Sequence, residues 1–272
     1  MRLVSRVPCL IGLGFGAAIA APTGYTYTVR VSTDHGHTLI AHAWAKGDKL
    51  RVKLESGERD EGAMRRVSYV LGQDGGRTLF FVDSVDRIYF PFGTGPGAVR
   101  PGAIASPTEQ VSNIQVQAEA LGAGGPVLGY ATTRYRMTQD YSRSTDPSGA
   151  GRVRVHAVLE YWGTRDLPAY INPEFLSGLF AARALAGGDE VSRRAAAAME
   201  RLNPGAVLKY VGTTTTSDAG GNITKTVGTA EITELKATSV DDAMLDLPQG
   251  SQDGVPYADG EAVKPARLHA RT

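Results

Sequence analysis

The chain has 272 residues, a formal net charge of +1 and a single cysteine. Acidic and basic residues alternate along it, and no basic stripe is interleaved with aromatic residues. This distribution excludes the usual electrostatic footprint of a nucleic-acid-binding protein. The length is compatible with one large β domain or two small ones.

The first residues have the pattern of a secretory signal peptide. Arg2 and Arg6 precede a short apolar run at residues 9–21, and Ala18-Ile19-Ala20 supplies the small residues that signal peptidase requires. The run is shorter than the roughly 20 apolar residues that span a bilayer. We therefore predict a signal peptide over residues 1–20, a periplasmic or secreted chain and no stable membrane span. The alternatives are a membrane anchor and a buried first helix.

The next segment predicts antiparallel strands. Tyr25, Tyr27, Val29 and Val31 alternate with polar residues, which is the two-residue period of a half-buried strand. Further strands are predicted over residues 38–46, 50–55, 67–72, 78–82 and 87–90. One face of such a sheet is apolar and the other faces water.

Three longer strands follow a crossing at residues 91–107 that is rich in Gly and Pro. They are predicted over residues 111–121, 127–141 and 152–162. In the third strand Val155 and Leu159 alternate with His156 and Glu160, which again indicates a half-buried strand.

Two helices are predicted after these strands. Asn172-Pro173-Glu174 is a strong start signal, with Asn as cap, Pro at the first helical position and an acid at the positive end. This helix ends at Gly187-Gly188, and Asp189 caps the next one. The second helix has an apolar stripe of Val191, Ala195, Ala198, Met199 and Leu202. Its other face carries Arg193, Arg194, Glu200 and Arg201.

A closing hairpin through residues 218–221 completes the predicted elements. Their order predicts an α+β fold, a curved antiparallel β-sheet (half-open β-barrel) with two helices against its concave face. We predict a single domain over residues 21–250. Residues 251–272 contain few large apolar groups and are predicted to be a disordered tail.

Three stretches resemble a known group of proteins. They are "VLGYATTRYRMT" from Val127, "LEYWGTRDLP" from Leu159 and "AMLDLPQGSQ" from Ala243. The chain resembles the half-open β-barrel of the LolA-type lipoprotein carriers and, more closely, a family of bacterial envelope proteins of unknown function with that barrel. The family places aromatic residues around the last Pro-x-Gly, where this chain has Leu245 and Ser251. The resemblance implies a hydrophobic cavity that receives acyl chains, and it implies no catalytic residue.

The first predicted helix is the candidate wall of such a cavity. Between residues 175 and 185 only Arg183 is charged, so the helix has no clear polar face. An all-round apolar helix is usually buried on both sides. We predict that one side packs on the sheet and that Leu176, Leu179 and Phe180, with Trp162, line a ligand cavity. The alternative is that these residues form ordinary core.

A metal site is the weaker alternative. His35 and His37 are two residues apart and His42 follows on the next strand, an arrangement that a metal-dependent hydrolase could use. A closed site needs three or four converging ligands, and Gly36 indicates a turn tip between the first two histidines. The sequence also contains no Gly-x-Ser-x-Gly motif and no phosphate-binding loop. We therefore predict no catalytic residues, no metal and no cofactor.

These observations lead to one functional expectation. The chain is predicted to be an exported, non-enzymatic, monomeric protein that binds a hydrophobic or acylated ligand between sheet and helices. Its partner would be a lipid or a lipoprotein acyl chain, and not a nucleic acid. The alternatives are an envelope interaction or structural module with a filled core, and the metal-dependent hydrolase.

Overall fold

The fold was obtained as a computed structural model. It describes residues 23–34, 36, 38–56, 68–73, 78–93, 110–144, 151–173, 189–249 and 252–253. The first six strands are β1 (Gly24–Thr33), β2 (Thr38–Lys46), β3 (Lys49–Ser56), β4 (Tyr69–Gln73), β5 (Thr78–Asp83) and β6 (Ile88–Gly93). The others are β7 (Gln110–Val127), β8 (Tyr130–Ser144), β9 (Val153–Thr164), β10 (Ala206–Ser217), β11 (Ile223–Thr238) and β12 (Gln252–Asp253). One α-helix, α1 (Asp189–Leu202), and one 3-10 turn, Asp242–Met244, complete the described elements.

All twelve strands belong to one sheet. Their order is β12-β6-β5-β4-β3-β2-β1-β11-β10-β9-β8-β7, and every pair is antiparallel except β12 with β6. The strands that the structure describes leave this sheet open, with β12 at one end and β7 at the other. The prediction of a large antiparallel sheet with a helix against it is confirmed.

The half-barrel with two helices is matched only in part. The described residues contain one α-helix against an unclosed sheet. The first predicted helix begins at Pro173, and its remaining residues, 174–186, lie outside the described residues. The predicted signal peptide lies outside them as well. Within the predicted tail, Gln252 and Asp253 pair with Ile88 and Tyr89 of β6.

One predicted strand break is wrong. The glycine-rich segment before Leu128 continues β7 with register shifts at Ala120/Gly122 and Ala123/Gly125. Gly122 and Gly125 have positive φ angles of 92° and 78°, which glycine adopts at little cost and which strand bulges use. The turn between β7 and β8 is instead Leu128-Gly129, with Val127 paired to Tyr130.

The larger apolar core lies on one face of the sheet, here called the core face, and a smaller cluster of Tyr69, Leu71 and Val82 lies on the other. Tyr161 on β9 is opposite Tyr135 on β8 and Tyr210 on β10, and all three side chains are buried. The Tyr161 and Tyr210 rings are 5.4 Å apart. On β2 the same face carries buried alanines, Ala41 and Ala43 among them, which bring little side-chain volume to the centre of the sheet.

The opposite, outer face is polar over β7–β11 and is partly covered over the first strands. The segment at residues 241–249, here called the closing segment, lies there with Leu245 completely buried. Lys46 and Lys49 form ion pairs with Asp242 and Asp246 of this segment. These contacts hold the C-terminal part of the chain on the N-terminal strands.

Helix α1 packs on β7 and β8 at the far end of the core face. Its predicted stripe is confirmed, since Val191 and Ala198 are buried and Met199 packs against the core. The helix ends where the Asn203 amide donates to the Met199 carbonyl oxygen at 3.0 Å. Asn203 has a φ of 46°, the left-handed conformation that commonly ends helices.

Candidate functional site

A groove lies between helix α1 and strand β7. Its main part has a volume of about 740 Å³ and lies between residues 114–117 of β7 and residues 194–201 of α1. A second part of about 520 Å³ adjoins it along β7 and shares Val116, Gln117 and Arg201 with it. The main volume falls in the range of roughly 300–1,000 Å³ that is typical of small-molecule sites. We call the two parts together the helix–strand groove.

Strand β7 forms the apolar wall of the groove. Ile114, Val116 and Ala118 are half-buried and pack against the core clusters, whereas Gln115 and Gln117 are exposed. This alternation follows from the two-residue period of a strand. Ile114 lies in a bulge where the β8 register shifts between Ser112 and Gln115, so its carbonyl oxygen is available to the helix.

One flank of α1 forms the opposite wall. Arg194, Ala197 and Arg201 share this flank because residues three and four apart lie side by side on a helix. The small Ala197 side chain keeps the groove open between the two arginines. The Arg194 side chain donates to the Ile114 carbonyl oxygen at 2.9 Å and to Glu190 at 2.7 Å. Arg194 therefore ties the helix to the edge of the sheet.

Arg201 is a cation of the groove without a polar partner among the described residues. It lines both parts, and within the described part of the chain it makes no hydrogen bond or ion pair. Its neighbour Glu200 lines the larger part only. A guanidinium group beside an apolar wall is suited to an anionic group attached to an apolar chain.

The cation at the far end of the groove is already paired. Arg136 lines the smaller part, and its guanidinium lies 3.2 Å from Glu160 and 3.8 Å from Glu119. Glu160 also accepts from Arg134 at 2.6 Å. Partial burial of Glu160 opposes ionisation, but the hydrogen bonds from Arg134 and Arg136 outweigh it and hold the pKa of Glu160 below its ordinary value. Because these charged groups are paired with one another, Arg136 has few free donors with which to bind a ligand.

Trp162, predicted to line a cavity, lies on the outer face of the sheet. Its indole nitrogen donates to the Gly124 carbonyl oxygen at 3.0 Å. Arg134 and Lys209 lie over the ring at 5.4 Å and 5.2 Å. Its chain neighbour Tyr161 points to the core face instead. Trp162 therefore lines neither part of the helix–strand groove, and it contacts the bulged end of β7.

A close backbone approach accompanies this contact. A Cβ atom on Gly124 would lie 2.8 Å from Trp162 Cδ1 and 2.7 Å from Thr132 Oγ1. Only glycine lets the bulged strand lie this near to the indole ring. Leu176, Leu179 and Phe180, the other residues predicted to line a cavity, lie outside the described residues.

The histidines do not form a metal site within the described residues. His35 and His37 lie outside them, and no group of three or more His, Cys, Asp or Glu side chains in the described ranges is placed to hold a metal. His42 lies on β2 between Thr28, at 3.1 Å, and Glu55, at 2.8 Å. This hydroxyl–imidazole–carboxylate chain stands on the outer face, where the backbone of Thr28 and His42 is paired with neighbouring strands.

Sequence reasoning identified the polar face of α1 but not the groove. Arg194 and Arg201 belong to the polar face that the sequence predicts, whereas their position beside β7 depends on how the helix lies on the sheet. No protein-family model matches the chain, and no curated protein matches its sequence. None of the helices in the described ranges is both long enough and apolar enough to cross a bilayer.

Proposed function

We propose that the protein is an exported, non-enzymatic binding protein for a hydrophobic or acylated ligand. The observation that carries this proposal is the helix–strand groove, which has an apolar strand wall, a cationic helix wall and a volume of about 740 Å³ in its main part. The resemblance to the LolA-type carriers supports the same class of ligand. The proposal includes export by the predicted signal peptide and a monomeric protein.

The physical basis is burial of methylene groups against β7. Each methylene removed from water contributes roughly 0.8 kcal/mol, so a chain of several methylenes gains useful affinity without many polar contacts. The small side chains of Ala118 and Ala197 leave space between the two walls, and the half-buried Ile114 and Val116 provide apolar surface. A groove that is open along its length suits an extended chain better than a compact ligand.

The finer parts of the expected fold belong to this proposal. In it the sheet is curved as a half-open barrel, and residues 173–186 form a second helix against the core face. Leu176, Leu179 and Phe180 then extend the apolar surface available to a ligand. Trp162 is left out of the binding surface, because it lines neither part of the groove and its indole is bonded to the Gly124 carbonyl oxygen.

Filling the groove tests the proposal. We expect Ala197→Trp to weaken binding of a fluorescent fatty-acid probe about tenfold or more, because the indole ring occupies space between Arg194 and Arg201. Ala196→Trp is the matched control, since Ala196 is also exposed on α1 but does not line the groove. Mass spectrometry of lipid extracted from natively purified protein gives an independent measurement.

Two results would count against the proposal. One is equal probe binding by the wild type and both tryptophan variants, because the groove would then have no part in binding. The other is the recovery of no lipid together with no displacement of the probe by fatty acids.

A second candidate function rests on the edge of the sheet. In the described part of the chain β7 pairs on one side only, and its residues 115–120 keep a regular register between two bulges. A regular edge of this length is suited to pairing with an extended segment of another protein, as in an envelope interaction module. This candidate predicts purified protein without lipid, and slower hydrogen exchange at residues 115–120 when the partner binds.

A further inference from the structure

We propose that the helix–strand groove is selective for single-chain amphiphiles with an anionic head group, and that Arg201 binds that head group. This inference rests on the proposed function and specifies the ligand class of the same groove. The relevant head-group chemistry is a carboxylate or a phosphate, which a guanidinium group binds through paired hydrogen bonds.

The first argument is a comparison of the cations around the groove. Arg194 is bonded to Glu190 and to the Ile114 carbonyl oxygen, and Arg136 is shared between Glu160 and Glu119. Arg201 makes no hydrogen bond or ion pair within the described residues. An anion that enters the groove therefore meets one guanidinium group whose donors are not used by any of the described residues.

The second argument is the position of Arg201. It lines both parts of the groove and lies in the last turn of α1, where a cation also offsets the negative end of the helix. The larger part offers Ile114 and Val116 to an apolar chain, whereas the smaller part contains Thr138 and the paired Arg136. A ligand with its head group at Arg201 and its chain along Ile114 and Val116 matches both regions.

The third argument concerns the carboxylates. Glu200 lines the larger part only, and Glu119 at the other end lies near Arg136. Since Glu200 lines the larger part and Glu119 lines the smaller part, an anionic head group is repelled at both ends of the groove and attracted to the junction that Arg201 occupies. Glu200→Gln is therefore expected to tighten binding of anionic amphiphiles and to leave a neutral amphiphile unaffected.

The test compares three ligands of equal chain length below their micelle concentrations: dodecanoate, dodecyl phosphate and dodecanol. Displacement of a fluorescent fatty-acid probe gives their affinities for the full chain. We expect wild-type protein to bind both anions about tenfold more tightly than dodecanol, which is the usual contribution of a charge-assisted hydrogen bond. Arg201→Gln is expected to remove this preference without changing dodecanol binding, and Arg201→Lys to retain part of it.

Arg193→Gln is the matched control, because Arg193 is on the same helix, is 71% exposed and does not line the groove. Circular dichroism verifies that each variant is folded. Equal affinity of wild-type protein for the three ligands would overturn the inference and leave the proposed function intact. Binding of inorganic phosphate as tight as that of dodecyl phosphate would overturn it too, since it would define a site for free anions. Failure of all three amphiphiles to bind would overturn the proposed function itself.

Discussion

Trp162 lies on the outer face of the sheet, where it contacts β7 and lines neither part of the helix–strand groove. It follows Tyr161 on β9, and neighbouring residues of a strand point to opposite faces. Tyr161 is completely buried in the core, so Trp162 projects from the outer face, where it meets Gly124. The same alternation places Trp162 on the face of His156 and Glu160, whereas its contact with Gly124 depends on the bulges of β7, which sequence reasoning did not predict.

This position leads to a prediction about stability. We expect Trp162→Phe to lower the free energy of unfolding by about 1 kcal/mol, because the hydrogen bond to the Gly124 carbonyl oxygen is lost. Ligand affinity should not change. Urea denaturation measures the first effect, with Trp44→Phe as control, since the Trp44 indole makes no hydrogen bond in the described part of the chain. Loss of ligand binding by Trp162→Phe at unchanged stability would return Trp162 to the binding surface.

At the scale of elements, the sequence predicts those strands and helices whose patterns depend only on neighbouring residues. The alternation in β1 and β9 and the apolar stripe of α1 were sufficient to place these elements, and the structure confirms them. The sequence predicts the boundary between β7 and β8 wrongly, because a bulge within a strand and a turn between strands are both rich in glycine. The groove was beyond sequence reasoning, since it depends on the distance between a helix and a strand some 80 residues apart in the chain.

The turn between β7 and β8 contains a residue, Leu128, in a strained backbone conformation. Leu128 has a φ of 51°, in the left-handed region that costs most residues about 1 kcal/mol, and Gly129 follows with 83°. Two-residue turns with both angles positive favour Asn-Gly. We therefore expect Leu128→Asn to raise the free energy of unfolding by about 0.5–1 kcal/mol.

Thermal or urea denaturation measures this gain. Leu121→Asn is the control, because Leu121 on β7 is exposed to a similar extent as Leu128 and has no positive φ. A gain shared by both variants would show that removal of exposed leucine, and not relief of the turn, is responsible.

At the scale of the molecule, the closing segment connects the C-terminal part of the chain to the first strands. Leu245 is completely buried, and Arg51 donates to the Met244 carbonyl oxygen at 3.3 Å. We expect Leu245→Ala to lower the free energy of unfolding by about 2–4 kcal/mol, the usual cost of such a core truncation. Met244→Ala, at a half-buried position of the same segment, should cost less.

The measurement uses the two tryptophans as separate probes. Trp44 lies on β2 and Trp162 on β9, so variants with a single tryptophan report on the two halves of the sheet. Because the twelve strands form one sheet, Leu245→Ala should shift both transitions equally. A shift confined to Trp44 would show that the halves unfold independently.

The place of β1 in the sheet has a consequence for the order of assembly. β1 pairs with β2 on one side and with β11 on the other, and Thr28 meets Thr233, which is 205 positions away in the chain. Pairing across such a separation forms slowly, because a long stretch of chain must be ordered first. The edge of β1 that pairs with β11 therefore lacks its partner until residues 223–238 have been synthesised, and only then can the two halves of the sheet join.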